Sequence, residues 1–296
     1  MAKHVAQKVD SSPDADAGIA VESLTAWRER SLLWQRNDLD RALSSFTFVA
    51  DVTTLAPNCS FAGDSKTLVV RYDGLPFAAI AFCRQDGAGM KHGAAERVAA
   101  LTGRLVAPGE VFTCLVAEKE WQLVQAAYEV LEVHPEWQMV FCADPSSLDS
   151  GDAVALGPMD LPEMRSLADR EGMQAFEHDP LTRGPWYGVR RNGGLVAQGG
   201  THILLERAAE IGNIVTARQH RRQGYGSQIM VALLRELVAQ GYQVFLHVLK
   251  ENETAIAFYR DQGFECRRTM ILAKCRLRTS HSFHPSGGCD LSPSDE

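Results

Sequence analysis

The residues best suited to bind a ligand lie in the segment 211–230. There an apolar strand pattern leads into a polar, basic turn and then into an amphipathic helix pattern. Gly224 and Gly226 let a ligand approach the backbone closely, and a helix beginning beside them offers free N–H groups and a positive dipole end. Arg221 and Arg222 add positive charge to an otherwise acidic chain. The combination predicts a site for a phosphate or pyrophosphate.

Two familiar phosphate loops do not fit this segment. A Walker A loop requires Lys directly after its last glycine, but Ser227 follows Gly226. A dinucleotide fingerprint requires a third glycine, and that position is Ile229. An ordinary strand–turn–helix with incidental glycines remains an alternative at this point.

A second segment, about 26 residues further on, has a strand, a short polar link and a helix. Its pattern is Asn252-x-x-Ala255-x-x-x-Tyr259-x-x-x-Gly263-Phe264. Together with the Arg-x-x-Gly-x-Gly spacing of the first loop, it resembles the two motifs of the GNAT superfamily of N-acetyltransferases. The resemblance implies an acyl-CoA site in roughly the last 130 residues.

The likeness extends upstream and resembles the glycine N-acyltransferase-like branch, whose members tend to carry a degenerate GNAT-like half at the N-terminus. The first half fits that idea, because no Arg-x-x-Gly-x-Gly stands between the strand pattern at 111–117 and the helix pattern from Trp121. We therefore expect that half not to hold CoA in the usual way. The upstream segments that carry the likeness are 187–189, 193–197, 199–202 and 212–216.

The resemblance implies acetyl-CoA as co-substrate, with pantetheine lying in a gap beside the strand that precedes the phosphate loop. Backbone groups of Ile214 and Thr216 would pair with pantetheine, and N–H groups of residues 222–227 would hold the pyrophosphate. Asn252 would hydrogen-bond the pantetheine arm, and Phe258 would border the cofactor. The residues expected to bind acetyl-CoA are Ile214, Val215, Thr216, Arg221, Arg222, Gln223, Gly224, Tyr225, Gly226, Ser227, Asn252, Ala255 and Phe258.

Tyr259 is the candidate general acid. It lies seven residues beyond Asn252, so the two share a helix face. A phenol with a pKa of about 10 can protonate a departing thiolate whose conjugate acid has a pKa near 8.5. The alternative is a half-buried tyrosine that only packs its helix onto the sheet.

Glu210 is the candidate general base, because the resembled branch places a carboxylate near this position and it alternates onto the face of Gly212 and Ile214. An exposed carboxylate at a strand end is the alternative. His202 and the run Glu177-His178-Asp179 are fallback candidates, although a histidine near the core is the simpler interpretation of His202.

Composition limits the possible functions. The 296 residues allow two cores, and a net charge of −7 argues against nucleic acid as the main partner. Seven cysteines without a C-x-x-C pair indicate buried free thiols in a reducing cytoplasm. His281, His284 and Cys289 lack a standard metal spacing, so no metal is expected. We expect a cytoplasmic protein with no membrane partner.

The elements predict an α+β (α/β mixed) chain with a tandem GNAT-like fold, each half a mixed, mostly antiparallel sheet flanked by helices. The predicted domains are a flexible tail at 1–20, a degenerate half at 21–148, a catalytic half at 152–275 and a flexible tail at 276–296. Strands are predicted at 67–71, 77–83, 111–117, 138–142, 153–156, 187–190, 195–198, 210–216 and 244–248. Helices are predicted within 24–43, at 121–133, after Pro162, at 227–240 and at 253–262.

These features predict an N-acetyltransferase that moves an acetyl group directly from acetyl-CoA to a primary amine of a small molecule or amino acid. A non-catalytic acyl-CoA-binding regulatory module and a transferase of a longer acyl chain are the alternatives. We expect a monomer or homodimer.

Overall fold

A computed structural model describes residues 59–278 except 65, 85–90, 174 and 206. The helix pattern within 24–43, the expected tail at 1–20 and the His281, His284 and Cys289 group lie outside the described residues. No described helix is long and apolar enough to span a membrane.

The described part of the first half, from residue 59, contains five strands and two α-helices. In chain order they are β1 (Cys59–Gly63), β2 (Thr67–Tyr72), β3 (Ala79–Arg84), α1 (Ala94–Thr102), β4 (Phe112–Ala117), α2 (Trp121–Ala127) and β5 (Tyr128–Phe141).

The second half contains six strands and three helices. They are β6 (Val154–Ala155), α3 (Leu161–Glu171), β7 (Trp186–Arg191), β8 (Gly194–Leu204), β9 (Ala208–Thr216), α4 (Tyr225–Ala239), β10 (Gln243–Leu249), α5 (Glu253–Asp261) and β11 (Phe264–Leu277).

All eleven strands form one mixed sheet in the order β1-β2-β3-β4-β11-β5-β10-β9-β8-β7-β6. The last strand of each half has changed places: β5 pairs antiparallel with β10, and β11 pairs antiparallel with β4. β5 and β11 also pair with each other from Phe264↔Phe141 to Leu277↔Tyr128. The mixed fold is as expected, but the two halves share a sheet rather than forming one each.

The two halves repeat the same order of elements. The shared order is three strands, a helix, a strand, a short helix and a long strand. It occurs once as β1–β5 with α1 and α2, and again as β7–β11 with α4 and α5. In each copy of this order the third and fourth strands are parallel neighbours, β3 with β4 and β9 with β10. The repeated order of elements agrees with the tandem fold expected from the sequence.

The helix predicted at 121–133 is too long, because α2 ends at Ala127 and Tyr128 already has extended backbone. Residues 128–133 are rich in aromatic and β-branched side chains, and they pair with the far end of β11, at Leu277 to Ala273. This long-range partner outweighs the local helix pattern. The strand predicted at 138–142 is only the end of β5, and the tail boundary after 275 falls inside β11.

The helix α4 positions the second half of the sheet. Its apolar side chains recur at i, i+4 and i+8, and five of them are fully buried against β8, β9 and β10. Burial of each is worth about 1.5–3 kcal/mol, so this helix is a major anchor of the fold. The five are Ile229, Met230, Leu233, Leu234 and Leu237.

The expectation of buried free thiols is correct for four of the described cysteines and wrong for one. Cys142 is exposed because it follows the end of β5, where the chain leaves the sheet. Cys266 is half-buried. The buried cysteines are Cys59, Cys83, Cys114 and Cys275.

Candidate active site

The site begins where β9 and β10 separate. The two strands pair only at Ala208–Glu210 with Gln243–Phe245, although β9 continues to Thr216 and β10 to Leu249. Asn213 has a φ of 54°, and the β8–β9 register shifts nearby, so β9 carries a bulge at this point. The separation leaves a wedge-shaped gap open for an extended ligand.

A groove of about 450 Å³ runs along the far end of β9 and across to α5. Eight of its nine lining residues were expected to bind acetyl-CoA; only Thr254 was not expected. They are Ile214, Val215, Thr216, Arg221, Arg222, Asn252, Thr254, Ala255 and Phe258.

The glycine loop lies at the N-terminus of α4. Gly224 is the N-cap with a φ of 80°, and no side chain caps the helix, so its first N–H groups are available. Arg222 also has a positive φ, 64°. A Cβ added to Gly226 would meet only Ile214 Cγ2, at 3.8 Å. Protein packing therefore does not require glycine at position 226, whereas a closely approaching ligand would.

Arg221 is held by two acceptors. Its Nη2 donates to Oε2 of Glu171 at 2.8 Å and its Nε donates to the carbonyl of Thr216 at 3.1 Å. The side chain of Glu171 is only 5% exposed, whereas that of Arg221 is 52% exposed. The guanidinium thus lies beside the groove with part of its charge compensated by a buried carboxylate.

Three other loop side chains bond within the protein. The Tyr225 hydroxyl donates to Gln223 at 2.8 Å and accepts from Arg191 at 2.9 Å, and Ser227 Oγ donates to Gln262 at 3.0 Å. None of the three lines the groove in the described part of the chain. Any contact that Gln223, Tyr225 and Ser227 make with a phosphate would therefore come from their backbone N–H groups.

Asn252 is the N-cap of α5, and its Oδ1 accepts a hydrogen bond from the N–H of Ala255 at 3.1 Å. This bond fixes the side chain and leaves the amide NH₂ free to donate. Phe258 borders the same groove.

Tyr259 is half-buried, and its ring packs against Phe258 and Phe264 with centroid distances of 5.4 and 6.0 Å. Burial raises the pKa of its phenol above the ordinary 10.0, which keeps the hydroxyl protonated at neutral pH. Tyr259 does not line the described groove.

A second cavity, of about 250 Å³, lies at the other side of the gap. Residues 210–213 of β9 border it, directly before the residues of the same strand that border the groove. Its walls come from both halves, because β3 and β4 face β9 and β10 across it. Its titratable side chains are Glu136, His202, Glu210 and His247.

Glu210 is 6% exposed, so the alternative of an exposed carboxylate at a strand end is wrong. Its Oε1 lies 2.8 Å from His247 Nδ1 and 3.8 Å from His202 Nδ1, while its buried Oε2 has no hydrogen-bond partner among the described residues. Burial alone would raise the pKa of Glu210, but the charges of His247 and His202 and the hydrogen bond to His247 hold it well below its usual range.

His247 is the other member of this pair. Burial lowers its pKa, but the charge and the hydrogen bond of Glu210 outweigh burial, so the pKa is raised above the ordinary 6.5. Its Nε2 lies 3.2 Å from the side-chain amide of Gln138. The imidazole is thus held at both ring nitrogens.

The fallback candidates divide into two groups. His202 lies between two carboxylates, with Nε2 4.0 Å from Glu177 Oε1 and Nδ1 toward Glu210. Glu177 is buried and accepts a hydrogen bond from Arg183 at 2.9 Å. His178 and Asp179 are exposed and do not line the cavity.

Two cavity residues were missed in the sequence. His247 stands in the strand pattern 244–248, and the same alternation that selects Glu210 would have selected it. Glu136 comes from β5 in the other half, and no local signal links it to the motifs. Burial raises the pKa of Glu136, and the charge of His247 opposes this effect.

The first half also contains a motif with the spacing of the phosphate loop. In the repeated element order the segment that corresponds to the phosphate loop follows β3, not β4, and the sequence there reads Arg84-x-x-Gly87-x-Gly89. Residues 85–90 lie outside the described part of the chain. That the first half does not bind CoA therefore stays a prediction.

The described residues contain no group of three or more His, Cys, Asp or Glu side chains arranged to hold a metal ion.

Comparison with known proteins agrees with this geometry. Residues 155–264 match the model of the acetyltransferase (GNAT) family. A protein from Novosphingobium aromaticivorans assigned to the GNAT family is 25% identical, with 78% of this chain and 96% of that chain covered and a TM-score of 0.62. The search of the curated proteins found no match.

Two further solved structures share the fold at lower identity. A tandem GNAT protein from the clavulanic acid biosynthesis pathway is 14% identical, covering 80% of this chain and 95% of its own, with a TM-score of 0.55. An acetyltransferase from the GNAT family of Colwellia psychrerythraea is 15% identical, covering 88% of this chain and 100% of its own, with a TM-score of 0.53. The chain thus has the mixed α/β GNAT fold, and residues 155–264 are similar to the acetyltransferase (GNAT) family.

Proposed function

We propose that this protein transfers the acetyl group of acetyl-CoA directly to a primary amine of a small molecule. The observation that carries the proposal is that the cavity beside Glu210 and the groove beside Thr216 border consecutive residues of β9, 210–213 and 214–216. A thioester in the gap between β9 and β10 would have its acetyl end near Asn213 and Ile214, where the lining of one space gives way to that of the other.

The groove is suited to the co-substrate in three ways. The free edge of β9 at Ile214 and Thr216 offers backbone groups to the amides of pantetheine, and the amide of Asn252 faces the same groove. The uncapped N-terminus of α4 attracts a pyrophosphate. The open space around Gly226 leaves room for phosphate oxygens close to the backbone.

The cavity supplies the proton acceptor. An amine enters as the ammonium ion and must lose a proton before its lone pair can attack. Glu210 Oε2, which has no hydrogen-bond partner among the described residues, would accept that proton, and His247 and His202 lie beside Oε1 of the same carboxylate. The low pKa of Glu210 makes it a weak base alone, so we assign the base function to Glu210 together with these histidines.

The transfer then balances in one step of bond exchange. The amine nitrogen forms a bond to the thioester carbonyl carbon, and the carbon–sulfur bond breaks with its electron pair on sulfur. The nitrogen loses two protons, one to the base before attack and one as the amide forms. Tyr259 donates its phenolic proton to the thiolate and is reprotonated by one of these two, and the other is released. The products are an N-acetyl amide, CoA thiol and one released proton.

The role of Tyr259 as proton donor distinguishes the proposed enzyme from a non-catalytic acyl-CoA-binding module. Because Tyr259 does not line the described groove, a non-catalytic acyl-CoA-binding module would keep the same loop without using this residue. The two functions differ in turnover and not in binding of acetyl-CoA.

Binding of acetyl-CoA is tested by titration calorimetry of the full chain and of Gly226→Ala. The added methyl group meets no protein atom closer than 3.8 Å, and alanine favours a helix over glycine by roughly 0.5–1 kcal/mol. We expect the variant to be at least as stable as the unsubstituted protein and to bind acetyl-CoA at least about tenfold more weakly.

Gly157→Ala is the matched control, because a Cβ there also meets nothing within 4 Å and position 157 lies outside the groove. Equal affinities of the two variants would remove the phosphate loop from the proposal.

A further inference from the structure

The cavity beside Glu210 has a distinct distribution of charge. Its acidic end contains Glu210 and Glu136, with His202 and His247 beside them, and its remaining walls are mostly apolar. Neither Lys nor Arg lines it in the part of the chain that the structure describes. The cavity therefore has two carboxylates that attract an ammonium ion, and the imidazole of His247 is already paired with Glu210 at 2.8 Å.

The apolar walls come largely from the first half of the chain. Leu75, Phe77 and Leu115 lie opposite the β9 edge, and Leu272 reaches the cavity from β11. At about 250 Å³ the cavity is slightly below the usual ~300–1,000 Å³ of small-ligand pockets. The space suits one aliphatic chain or one aromatic ring.

A wider depression of about 830 Å³ adjoins the cavity and shares Phe77, Thr113 and Leu272 with it. This depression gives the cavity an approach that does not pass through the cofactor groove. A longer apolar body would extend past these three residues toward solvent.

From these observations we propose that the acceptor is a primary amine with an apolar body and no carboxylate. Its nitrogen lies at the unpartnered Oε2 of Glu210, and its body lies against the walls supplied by the first half. An α-amino acid would bring a carboxylate beside Glu210 and Glu136, where neither Lys nor Arg lines the described cavity and His247 is already paired with Glu210, which is unfavourable in a desolvated site. The proposal rests on the proposed acetyl transfer.

The test uses the full chain, acetyl-CoA and matched pairs of acceptors: 2-phenylethylamine with phenylalanine, and 3-methylbutylamine with leucine. Release of CoA thiol gives kcat/KM, and mass spectrometry identifies the acetylated product. We expect each amine to exceed its amino acid by at least about thirtyfold in kcat/KM, because juxtaposed like charges are costly.

Acetyl-CoA binding is measured in parallel by calorimetry, which separates two failures. If acetyl-CoA binds and the amino acids are acetylated as well as or better than the amines, the acceptor proposal is wrong and acetyl transfer stands. If acetyl-CoA does not bind, or no primary amine is acetylated, both proposals are overturned.

Two variants examine the walls and the charge separately. Phe77→Ala should shift preference toward bulkier amines, whereas Phe61→Ala, which removes a ring from the same core cluster outside the cavity, should not. Glu136→Gln should reduce the preference for amine over amino acid several-fold, and the exposed Glu129→Gln on the same strand should leave it unchanged. Unchanged preferences in both cavity variants, with melting temperatures like those of their controls, would contradict the proposal.

Discussion

The Nδ1 of His247 lies 2.8 Å from the Oε1 of Glu210 at the point where β9 and β10 separate. Both side chains are less than a tenth exposed, and each shifts the pKa of the other toward its charged form. The pair therefore links the stability of the sheet to the chemistry proposed for the cavity.

Glu210→Gln should lower stability in a pH-dependent way. The depressed pKa of Glu210 stabilises the fold above its ordinary value of 4.5, and this stabilisation is lost as pH falls through the folded value. The raised pKa of His247 stabilises the fold below its ordinary 6.5, and this is lost as pH rises through the folded value. The loss should be largest between these values, about 3 kcal/mol.

Chemical denaturation from pH 4 to 8 measures this profile. Glu129→Gln, which breaks an exposed pair with Arg276, is the control and should show no such maximum. A flat difference between Glu210→Gln and the unsubstituted protein would show that the pair is not ionised.

Tyr259→Phe should leave acetyl-CoA affinity within about twofold and lower kcat by roughly 10²-fold, since it removes only the phenolic proton donor. Calorimetry measures the affinity, and the rate of CoA thiol release gives kcat. Tyr242→Phe is a matched control, because Tyr242 packs on the same core cluster but follows α4. Equal turnover of the two variants would assign Tyr259 a packing role alone.

Arg221→Gln should lower the affinity for acetyl-CoA. It should also make that affinity less dependent on salt concentration. A charged hydrogen bond to phosphate contributes about 1.5–3 kcal/mol, which corresponds to roughly 10–100-fold in Kd. Arg235→Gln on the outer part of α4 is the control, since Arg235 donates to the carbonyl of Leu148 away from the groove. The affinity of each variant is measured at low and at high salt. If the affinity changes equally with salt in both variants, a contact between Arg221 and phosphate is contradicted.

The second half should not fold alone. β5, from the first half, lies between β10 and β11, so a fragment starting at residue 150 lacks the strand that joins its last two strands. We expect such a fragment to be insoluble or molten, and co-expression with residues 1–149 to restore a folded complex. Circular dichroism and gel filtration provide the measurement, and a cooperatively folded fragment would contradict the exchange of strands.

The sequence predicts the features that depend on local pattern. The helix α4, the strand β10, the helix α5 and the residues of the groove follow from periodicity and from two motifs within 54 residues. Glu210 is also predicted from the sequence, because its place on β9 follows from alternation with Gly212 and Ile214.

The features that depend on long-range partners do not follow from local pattern. Residues 128–133 look helical until β11 is placed beside them, and no single-half pattern indicates that β5 and β11 exchange places. Glu136 joins the site only because of this exchange. His247 was overlooked for a different reason, since a histidine inside an apolar strand resembles a core residue until its neighbour is known.

The most direct test of acetyl transfer incubates the full chain with acetyl-CoA labelled in the acetyl group and with 2-phenylethylamine. Mass spectrometry then follows the label and a thiol reagent follows CoA. We expect labelled N-acetyl amide and CoA thiol to form in equal amounts. The rate of formation of both should be reduced roughly 10²-fold or more in Tyr259→Phe. Tight binding of acetyl-CoA without label transfer to this or any other primary amine would contradict it.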